Sequence, residues 1–318
     1  MKHRSLFFIL FFSPFILFSQ TGTQEPGIEK ITWTKKADFP DSSRNEGIGF
    51  SIGSKGYFGV GQKQVELFVY KSYTDFWEYD SETNTWTQKS DFPGKERLGT
   101  QGFLVHGKIY VGLGYFIAPY GANAGSNEYL TDLYAFDPAV NTWSKKNDKQ
   151  IEGGSIFFTI KDTAYAVNPE YRVLKKYNPL TDAWTENNWT KKAIAPNYAN
   201  IIGNNINFSL KEKEYIITTI KKKGNYINQL WEFDPHTITW NQKNDLPLPG
   251  NDTLNAFSLG EKGYVRRGGN DFLEYDPAVD AWITKKEIPA ENKYFSKTFS
   301  IGEKIYGFSK HKFWEFIP

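Results

Sequence analysis

The chain has 318 residues, of which 38 are basic and 36 acidic, so its formal net charge is +2. Such a balance carries no electrostatic footprint for nucleic acid, and we expect no nucleic-acid partner. Aromatic residues make up 17% of the chain, and they favour the half-buried surface of a pleated sheet. Cysteine is absent, which excludes disulfides and leaves packing as the source of stability.

The N-terminal segment, residues 1–20, has the pattern of a signal peptide. Lys2 and Arg4 form a basic start, and an apolar stretch of 13 residues runs from Leu6 to Phe18. That stretch is too short to cross a bilayer, for which about 20 residues are needed. We therefore expect an exported chain, periplasmic or extracellular, with no integral membrane segment after signal cleavage. Residues 21–30 are expected to form a short linker.

Residues 31–318 contain a short motif that occurs six times. A Phe is followed two positions later by an aliphatic residue and seven positions later by a Tyr, with turn-forming residues between them. Alternating apolar residues on both sides of a tight turn predict a β-hairpin. The six pairs are Phe50/Tyr57, Phe103/Tyr110, Phe158/Tyr165, Phe208/Tyr215, Phe257/Tyr264 and Phe299/Tyr306.

Every hairpin except the last is followed by a second motif: an aromatic residue, then Asp or Asn, then Trp six positions later. An Asx side chain accepts hydrogen bonds from the following backbone and so favours a turn. The aromatic residue then ends a third strand and the Trp begins a fourth. Each repeat of about 50 residues is therefore predicted to form one four-stranded antiparallel sheet. The five pairs are Asp80/Trp86, Asp137/Trp143, Asn178/Trp184, Asp234/Trp240 and Asp276/Trp282.

The hairpins, the glycine positions and the Tyr and Trp spacing resemble degenerate kelch repeats over residues 31–318. The glycines concerned are Gly59, Gly61, Gly112, Gly114, Gly268 and Gly269. The resemblance implies an all-β fold, a six-bladed kelch-type β-propeller with four antiparallel strands per blade. Within the exported bacterial kelch proteins, the chain is similar to the group that includes the sialic acid mutarotases and the galactose oxidase-like propellers.

The two ends of the repeat region complement each other. The last repeat has three strands and no Trp, whereas the strand around Trp33 has no repeat before it. Pairing the N-terminal strand with the last blade would close the ring and leave no open edge between the blades. The third repeat leaves one choice open, because either Trp184 or Trp189 could begin its outer strand.

The loops between second and third strands are the first candidates for a binding site. The distance from Tyr to the following Asx is 23 and 27 residues in the first two repeats and 12 to 19 in the next three. Variable loops on a rigid frame are where binding usually resides. The second long loop holds Tyr115, Phe116 and Tyr120, which could stack on a sugar or a peptide. Alternatively, the two loops fold over each other and cover the blade edges.

Arginines are the second set of candidates. Arg44, Arg97, Arg172 and Arg267, together with Arg266, are expected to lie toward the face that carries those loops. Guanidinium groups suit carboxylates and planar polar groups, so one interpretation is an Arg-lined mouth for an acidic ligand. The alternative is that these arginines bind loop carbonyls and neighbouring carboxylates.

The chemistry of a copper oxidase is excluded, because its crosslinked cofactor requires a cysteine. With only four His at dispersed positions, we expect no metal site and no cofactor. The main interpretation is a monomeric module that binds a glycan or protein ligand without catalysis. The alternative, implied by the resemblance, is a cofactor-free sialic acid-like mutarotase or epimerase. Its candidate carboxylates are Glu46, Glu66, Glu128 and Glu170.

Overall fold

The computed structural model describes most of the repeat region. The described residues are 32–41, 44–45, 47–66, 69–117, 127–147, 151, 155–168, 173–187, 206–248, 254–267, 272–285, 295–309 and 312–317. The predicted signal peptide and linker lie outside these ranges. None of the described residues belongs to an apolar helix of the length that a membrane crossing requires.

The predicted six-bladed propeller is confirmed, since the described strands form six antiparallel four-stranded sheets. Blade 1 consists of β2 (Ile48–Ile52), β3 (Lys55–Gly59), β6 (Phe76–Asp80) and β7 (Thr85–Lys89). Blade 2 consists of β8 (Gln101–Val105), β9 (Lys108–Gly112), β12 (Leu133–Asp137) and β13 (Thr142–Lys146). Blade 3 consists of β14 (Ile156–Ile160), β15 (Thr163–Asn168), β16 (Val173–Asn178) and β17 (Ala183–Asn187).

The second half of the ring repeats this arrangement. Blade 4 consists of β18 (Ile206–Leu210), β19 (Lys213–Lys222), β20 (Asn225–Asp234) and β21 (Thr239–Gln242). Blade 5 consists of β22 (Leu254–Leu259), β23 (Lys262–Arg267), β24 (Phe272–Asp276) and β25 (Ala281–Lys285). Blade 6 consists of β26 (Phe295–Ile301), β27 (Lys304–Ser309), β28 (Lys312–Ile317) and β1 (Thr32–Lys35).

The two long loops of the first repeats form additional hairpins. In blade 1 the hairpin consists of β4 (Gln62–Glu66) and β5 (Val69–Ser72). In blade 2 it consists of β10 (Tyr115–Ile117) and β11 (Asn127–Tyr129).

The first sequence motif forms the inner hairpin of each blade. Each Phe lies directly opposite its Tyr in all six sheets. The ring centroids of Phe103 and Tyr110 are 4.6 Å apart, and the rings are nearly parallel at 8°. Cross-strand aromatic pairs of this kind stabilise a sheet beyond the backbone hydrogen bonds. The spacing of seven residues therefore encodes both the turn and the register.

The second motif forms the outer hairpin. In all five turns the Asx oxygen accepts a hydrogen bond from the backbone N–H two residues later, at 2.9 to 3.0 Å. The Trp lies opposite the aromatic residue that ends the third strand, as Trp86 does with Tyr79. The Trp86 indole N–H also donates to the Ala37 carbonyl, 3.1 Å away in the preceding connection. In blade 3 the pairing of Trp184 with Tyr177 resolves the choice left open by the sequence.

The hydrophobic core is divided among the six blade interfaces. Each of the six buried clusters combines residues from two adjacent blades. At the interface of blades 6 and 1, for example, Phe299 packs on Gly56 of β3. A Cβ atom at Gly56 would lie 2.2 Å from Phe299 Cε2, so only glycine fits there. A blade therefore buries its apolar surface only when both neighbours are in place.

The ring closes as predicted. β1 pairs with β28 in antiparallel register, and Trp33 lies opposite Phe316. The two rings stack with centroids 4.3 Å apart, which supplies the Trp–aromatic pair that the last repeat lacks. The inner strands β2, β8, β14, β18, β22 and β26 contact one another in this order, and β26 contacts β2.

Replacement of Trp33 by Ala should lower the free energy of unfolding by about 2–3 kcal/mol, because it removes the aromatic contact at the closure. Urea unfolding measures this effect. Ile283→Ala is the matched control, because Ile283 also lies on an outermost strand but is 51% exposed, and it should cost less than about 0.5 kcal/mol. Equal effects of the two substitutions would contradict a stabilising role of the closure.

Candidate functional site

One face of the propeller carries both additional hairpins and the connections between blades; we call it the loop-rich face. Asn45, in the connection before blade 1, bridges to Gln62 at the start of β4. Leu98, in the next connection, bridges to Tyr115 at the start of β10. The shared face that the loop lengths suggested is therefore present in both blades.

Arg44 lies beneath the first additional hairpin and is 1% exposed. Its guanidinium group donates to both carboxylate oxygens of Asp75, with Nη2 to Oδ2 at 2.9 Å, and to the Val60 carbonyl. Its Cζ lies 4.0 Å from the centroid of the Tyr73 ring. Burial opposes ionisation of Asp75, but hydrogen bonds from Arg44 and Trp77 outweigh it and hold the pKa of Asp75 below its ordinary value.

Arg97 repeats this arrangement in blade 2. It is 2% exposed and binds both oxygens of Asp132, with Nη2 to Oδ2 at 2.7 Å. Its Nη1 also donates to the Leu113 carbonyl at 3.1 Å. Leu113, like Val60 in blade 1, has a left-handed backbone, with φ of 55° and 52° respectively. The two Arg–Asp pairs thus hold strained turns at the bases of the additional hairpins.

Both guanidinium groups are therefore bound by protein acceptors, which is the arrangement that the alternative interpretation described. Ligand binding by Arg44 and Arg97 stays a prediction that these contacts do not test. Arg172 and Tyr120 lie outside the described residues, and the side chain of Arg267 at the end of β23 does too. The neighbouring Arg266 is buried, which lowers its pKa to about 10.

The aromatic candidates lie on the additional hairpin of blade 2. Tyr115 and Phe116 are half-buried in β10, and the Tyr115 ring centroid lies 6.4 Å from that of Tyr129. The Lys95 ammonium covers the Phe116 ring at 3.6 Å and forms an ion pair with Glu128 at 2.6 Å. Tyr129 is 67% exposed. These contacts lie within the second loop and its preceding connection, and whether the rings stack on a ligand stays a prediction.

Of the four candidate carboxylates, only Glu128 has a described side chain. It is exposed and belongs to the rim formed by the hairpin. Glu46 and Glu170 lie outside the described residues, as does the side chain of Glu66 on β4.

A cavity of about 480 Å³ lies at the centre of the propeller, and all six inner strands contribute to its lining. Inner strands start at the loop-rich face, because the connection between blades leads directly into them. Several of the lining residues are polar: Ser51, Thr100, Gln101, Asn207, Ser209, Asn255, Ser258, Lys297, Thr298 and Ser300. The cavity thus presents dispersed hydrogen-bonding groups along the axis of the ring.

Lys297 is the only charged residue in the six inner strands. It lies at a β-bulge, where the register between β26 and β27 shifts between Phe295 and Thr298. Burial lowers the pKa of the Lys297 ammonium. Bulges re-aim side chains, and this one accompanies the lysine that lines the cavity.

Glu214 lies directly behind the cavity wall, between blades 3 and 4, and is fully buried. Burial raises its pKa to about 8, although hydrogen bonds with Ser209 and Asn207 oppose the shift. The Ser209 hydroxyl also lies 3.1 Å from the Thr159 carbonyl, and it has one proton to donate. A protonated Glu214 can donate a hydrogen bond to the Ser209 hydroxyl while that hydroxyl donates to the Thr159 carbonyl. With a neutral Glu214, the carboxyl, the hydroxyl and the carbonyl thus all have a hydrogen-bond partner.

Sequence reasoning did not single out Lys297, Thr100 or Glu214. The signal for Lys297 was present, because an alignment of the six repeats on their Phe residues places one charged side chain in the inner strands. Glu214 carried no comparable signal, since its burial depends on how blades 3 and 4 pack.

The fold is a six-bladed propeller with a polar-lined central cavity, similar to kelch-type propellers. The solved structure of YjhT superposes with a TM-score of 0.64 and 14% identity, covering 87% of this chain and 95% of YjhT. That likeness is one of fold.

Among curated proteins, the chain is similar to enzymes named N-acetylneuraminate epimerase. It is 22% identical to the Pasteurella multocida enzyme over 243 residues, which are 73% of this chain and 56% of that protein. It is 25% identical to the Yersinia enterocolitica enzyme over 172 residues (44% and 43%) and 23% identical to one from Haemophilus influenzae over 207 residues (64% and 48%). The chain thus spans about half the length of these relatives. No protein-family model matches it.

The Arg97–Asp132 pair gives a stability prediction. Asp132→Asn should lower the free energy of unfolding by about 3 kcal/mol, because it leaves the buried Arg97 charge without a counter-charge. Glu128→Gln in the same hairpin is the control, and loss of its exposed ion pair should cost less than about 1 kcal/mol. Both are measured by urea unfolding. If the two variants are equally stable, the pair does not anchor the hairpin.

Glu214 gives a pH prediction. Because its folded pKa of about 8 lies above the ordinary 4.5, its contribution to stability is complete below pH 4.5 and is lost as the pH rises toward 8. The Glu214→Gln variant should not show this loss of stability. Between pH 4.5 and 8, its free energy of unfolding should therefore rise relative to that of the wild type by roughly 3–5 kcal/mol. Urea unfolding at pH 4.5 to 8.5 tests this, with the exposed Glu212→Gln as control. Parallel wild-type and Glu214→Gln curves would contradict a protonated Glu214.

Proposed function

We propose that the chain binds an acidic sugar of the N-acetylneuraminate type at the loop-rich mouth of the central cavity and interconverts its anomers. The observation that carries the proposal is the cavity itself, with hydrogen-bonding groups from the inner strands and one cation, Lys297. The names of the similar epimerases support the sugar and the reaction. The signal-peptide pattern of residues 1–20 supports action outside the cytoplasm.

The reaction requires little from the protein. A proton leaves the anomeric hydroxyl, the bond between the anomeric carbon and the ring oxygen breaks, and the ring oxygen takes up a proton. Rotation about the next carbon–carbon bond then lets the ring oxygen attack the other face of the carbonyl, with the two proton transfers reversed. General acid–base catalysis suffices for both directions, and a redox group or electron sink has no part in these steps.

The cavity lining suits the binding part of this task. Serine, threonine, asparagine and glutamine side chains can accept and donate hydrogen bonds to sugar hydroxyls. Phe50 is half-buried in the lining and offers some apolar surface, whereas Phe208, Phe257 and Phe299 border the cavity but are buried in the blade interfaces. Lys297 supplies a positive charge for a carboxylate.

A binding module without catalysis is the second candidate function. It is favoured by the additional hairpin of blade 2, which exposes Tyr129 and Glu128 at the rim. Exposed aromatic rings on rigid hairpins bind glycans or proteins by stacking. In a binding module of this kind, the ligand would lie on the additional hairpin of blade 2 and not in the central cavity.

The two functions are separated by adding purified protein to freshly dissolved N-acetylneuraminic acid and following both anomers by proton NMR. The enzyme proposal expects anomer equilibration to be about 100-fold faster than in buffer, a typical contribution of acid–base catalysis. Unfolded protein and the neutral sugar galactose are the controls. Saturation-transfer signals without acceleration would favour the binding module. Absence of both binding and acceleration would overturn the acidic-sugar proposal.

A further inference from the structure

We infer that Lys297 forms the centre of a carboxylate-binding subsite in the central cavity, with the Thr100 hydroxyl as a second donor. The subsite depends on the proposed function only for the identity of its natural ligand. The inference itself comes from charge, burial and unsatisfied hydrogen bonding in the inner strands.

Lys297 stands out from the residues at the same place in the other inner strands. When the six inner strands are aligned on the motif Phe, the residue two before it is Ile48, Gln101, Ile156, Ile206, Asn255 and Lys297 in turn. Three of these side chains are aliphatic, two are amides and one is charged. Five of the six, all except Ile156, line the cavity. Lys297 thus places a single cation where the other strands supply apolar or neutral polar groups.

The aliphatic stem of Lys297 packs against the neighbouring strand β2. A Cβ atom at Gly49, on the neighbouring β2, would lie 3.3 Å from Lys297 Cγ and 3.1 Å from Phe299 Cδ1. The absence of a side chain at Gly49 leaves the room that the stem occupies. The apolar part of Lys297 therefore packs on the backbone of β2, while its charged end has the cavity available.

Within the described part of the chain, the Lys297 charge is not compensated by a carboxylate. Most other partly buried lysines there have a carboxylate partner, such as Lys243 with Glu232 at 3.3 Å and Lys89 with Glu78 at 3.2 Å. No ion pair or hydrogen bond joins Lys297 to a described residue, and only burial acts on its pKa. The side chain is half-buried, and partial removal of an unpaired ammonium from water is unfavourable, so an anion in the cavity would stabilise it.

The Thr100 hydroxyl is a second hydrogen-bond donor beside the same cavity. Thr100 directly precedes β8 and lines the cavity, and it is 7% exposed. Its Oγ1 atom has no hydrogen-bond partner among the described residues and almost no accessible surface, so a rotation about χ1 is needed to present it to a ligand. An unsatisfied buried hydroxyl costs free energy, and a ligand oxygen would remove that cost. β2 is the one inner strand between β26 and β8, so both donors flank the same strand.

The test compares a carboxylate with its uncharged analogue. Sodium acetate and acetamide are titrated into ¹⁵N-labelled protein, and the amide signals of the inner strands report binding. Acetate should bind the wild type at least about tenfold more tightly than acetamide, a difference of about 1.4 kcal/mol. Lys297→Met should abolish the difference and still fold, because it replaces a partly buried ammonium by an apolar side chain of similar length.

Lys223→Met is the matched control. Lys223 is exposed at the tip of the β19–β20 hairpin, on the same loop-rich face, and its loss changes the net charge equally. Its acetate binding should equal that of the wild type. Two results would contradict the subsite: equal binding of acetate and acetamide to the wild type, or an equal loss of acetate affinity in both lysine variants.

Thr100→Val separates a ligand donor from a structural hydroxyl. Removing an unpaired hydroxyl should leave the midpoint of urea unfolding unchanged or higher, while the affinity for acetate falls about threefold or more. A lower midpoint with unchanged affinity would contradict the role of Thr100. N-acetylneuraminic acid and its methyl ester then test the ligand. Acetate binding at Lys297 without sugar binding would keep the subsite and overturn the proposed function.

Discussion

Packing between neighbouring blades is the interaction on which the rest of the structure depends. Every buried cluster is shared by two blades, so a blade cannot complete its core alone. A ring of six interfaces has no terminal blade, and an opened ring would expose two apolar faces at once. The stacking of Trp33 on Phe316 at the closure therefore affects every other interface.

The residues that pack the blades together differ from some of the residues that line the cavity. The rings that hold the blades together face the interfaces, as Phe299 does against Gly56. Residues of the inner strands that line the cavity do not all carry this packing. Lys297, Asn255 and Ile48 align in the sequence repeats, but Ile48 is buried in the cluster between blades 1 and 2 whereas Lys297 and Asn255 are half-buried at the cavity.

The fold could be predicted from the sequence because its determinants are local and repeated six times. The Phe–Tyr and Asx–Trp spacings each define a hairpin, and a single degenerate repeat would have been ambiguous. The orphan strand at Trp33 was predictable for the same reason, since the repeat specified what was missing. The outer strand of blade 3 was not decided in advance, because Trp184 and Trp189 both satisfy a local pattern and only strand pairing distinguishes them.

The site was less predictable because it depends on contacts between segments far apart in the chain. Arg44 and Arg97 were expected on the loop-rich face, but their partners Asp75 and Asp132 follow the long loops and meet them only after folding. Glu214 becomes unusual only through burial between two blades. Lys297 could have been found by aligning the repeats, although the bulge beside it could not.

The two kinds of cation on this face differ in what they can still bind. Arg44 and Arg97 are buried with a carboxylate on each guanidinium group, so a ligand carboxylate would have to displace an existing buried pair, and that exchange gains little. Lys297 faces a cavity without a described counter-charge, so an anion entering there adds an attraction that the protein does not already satisfy. In the structure, the two arginines hold the turns at the bases of the additional hairpins through Val60 and Leu113. Lys297 thus differs from both arginines in having no carboxylate partner among the described residues.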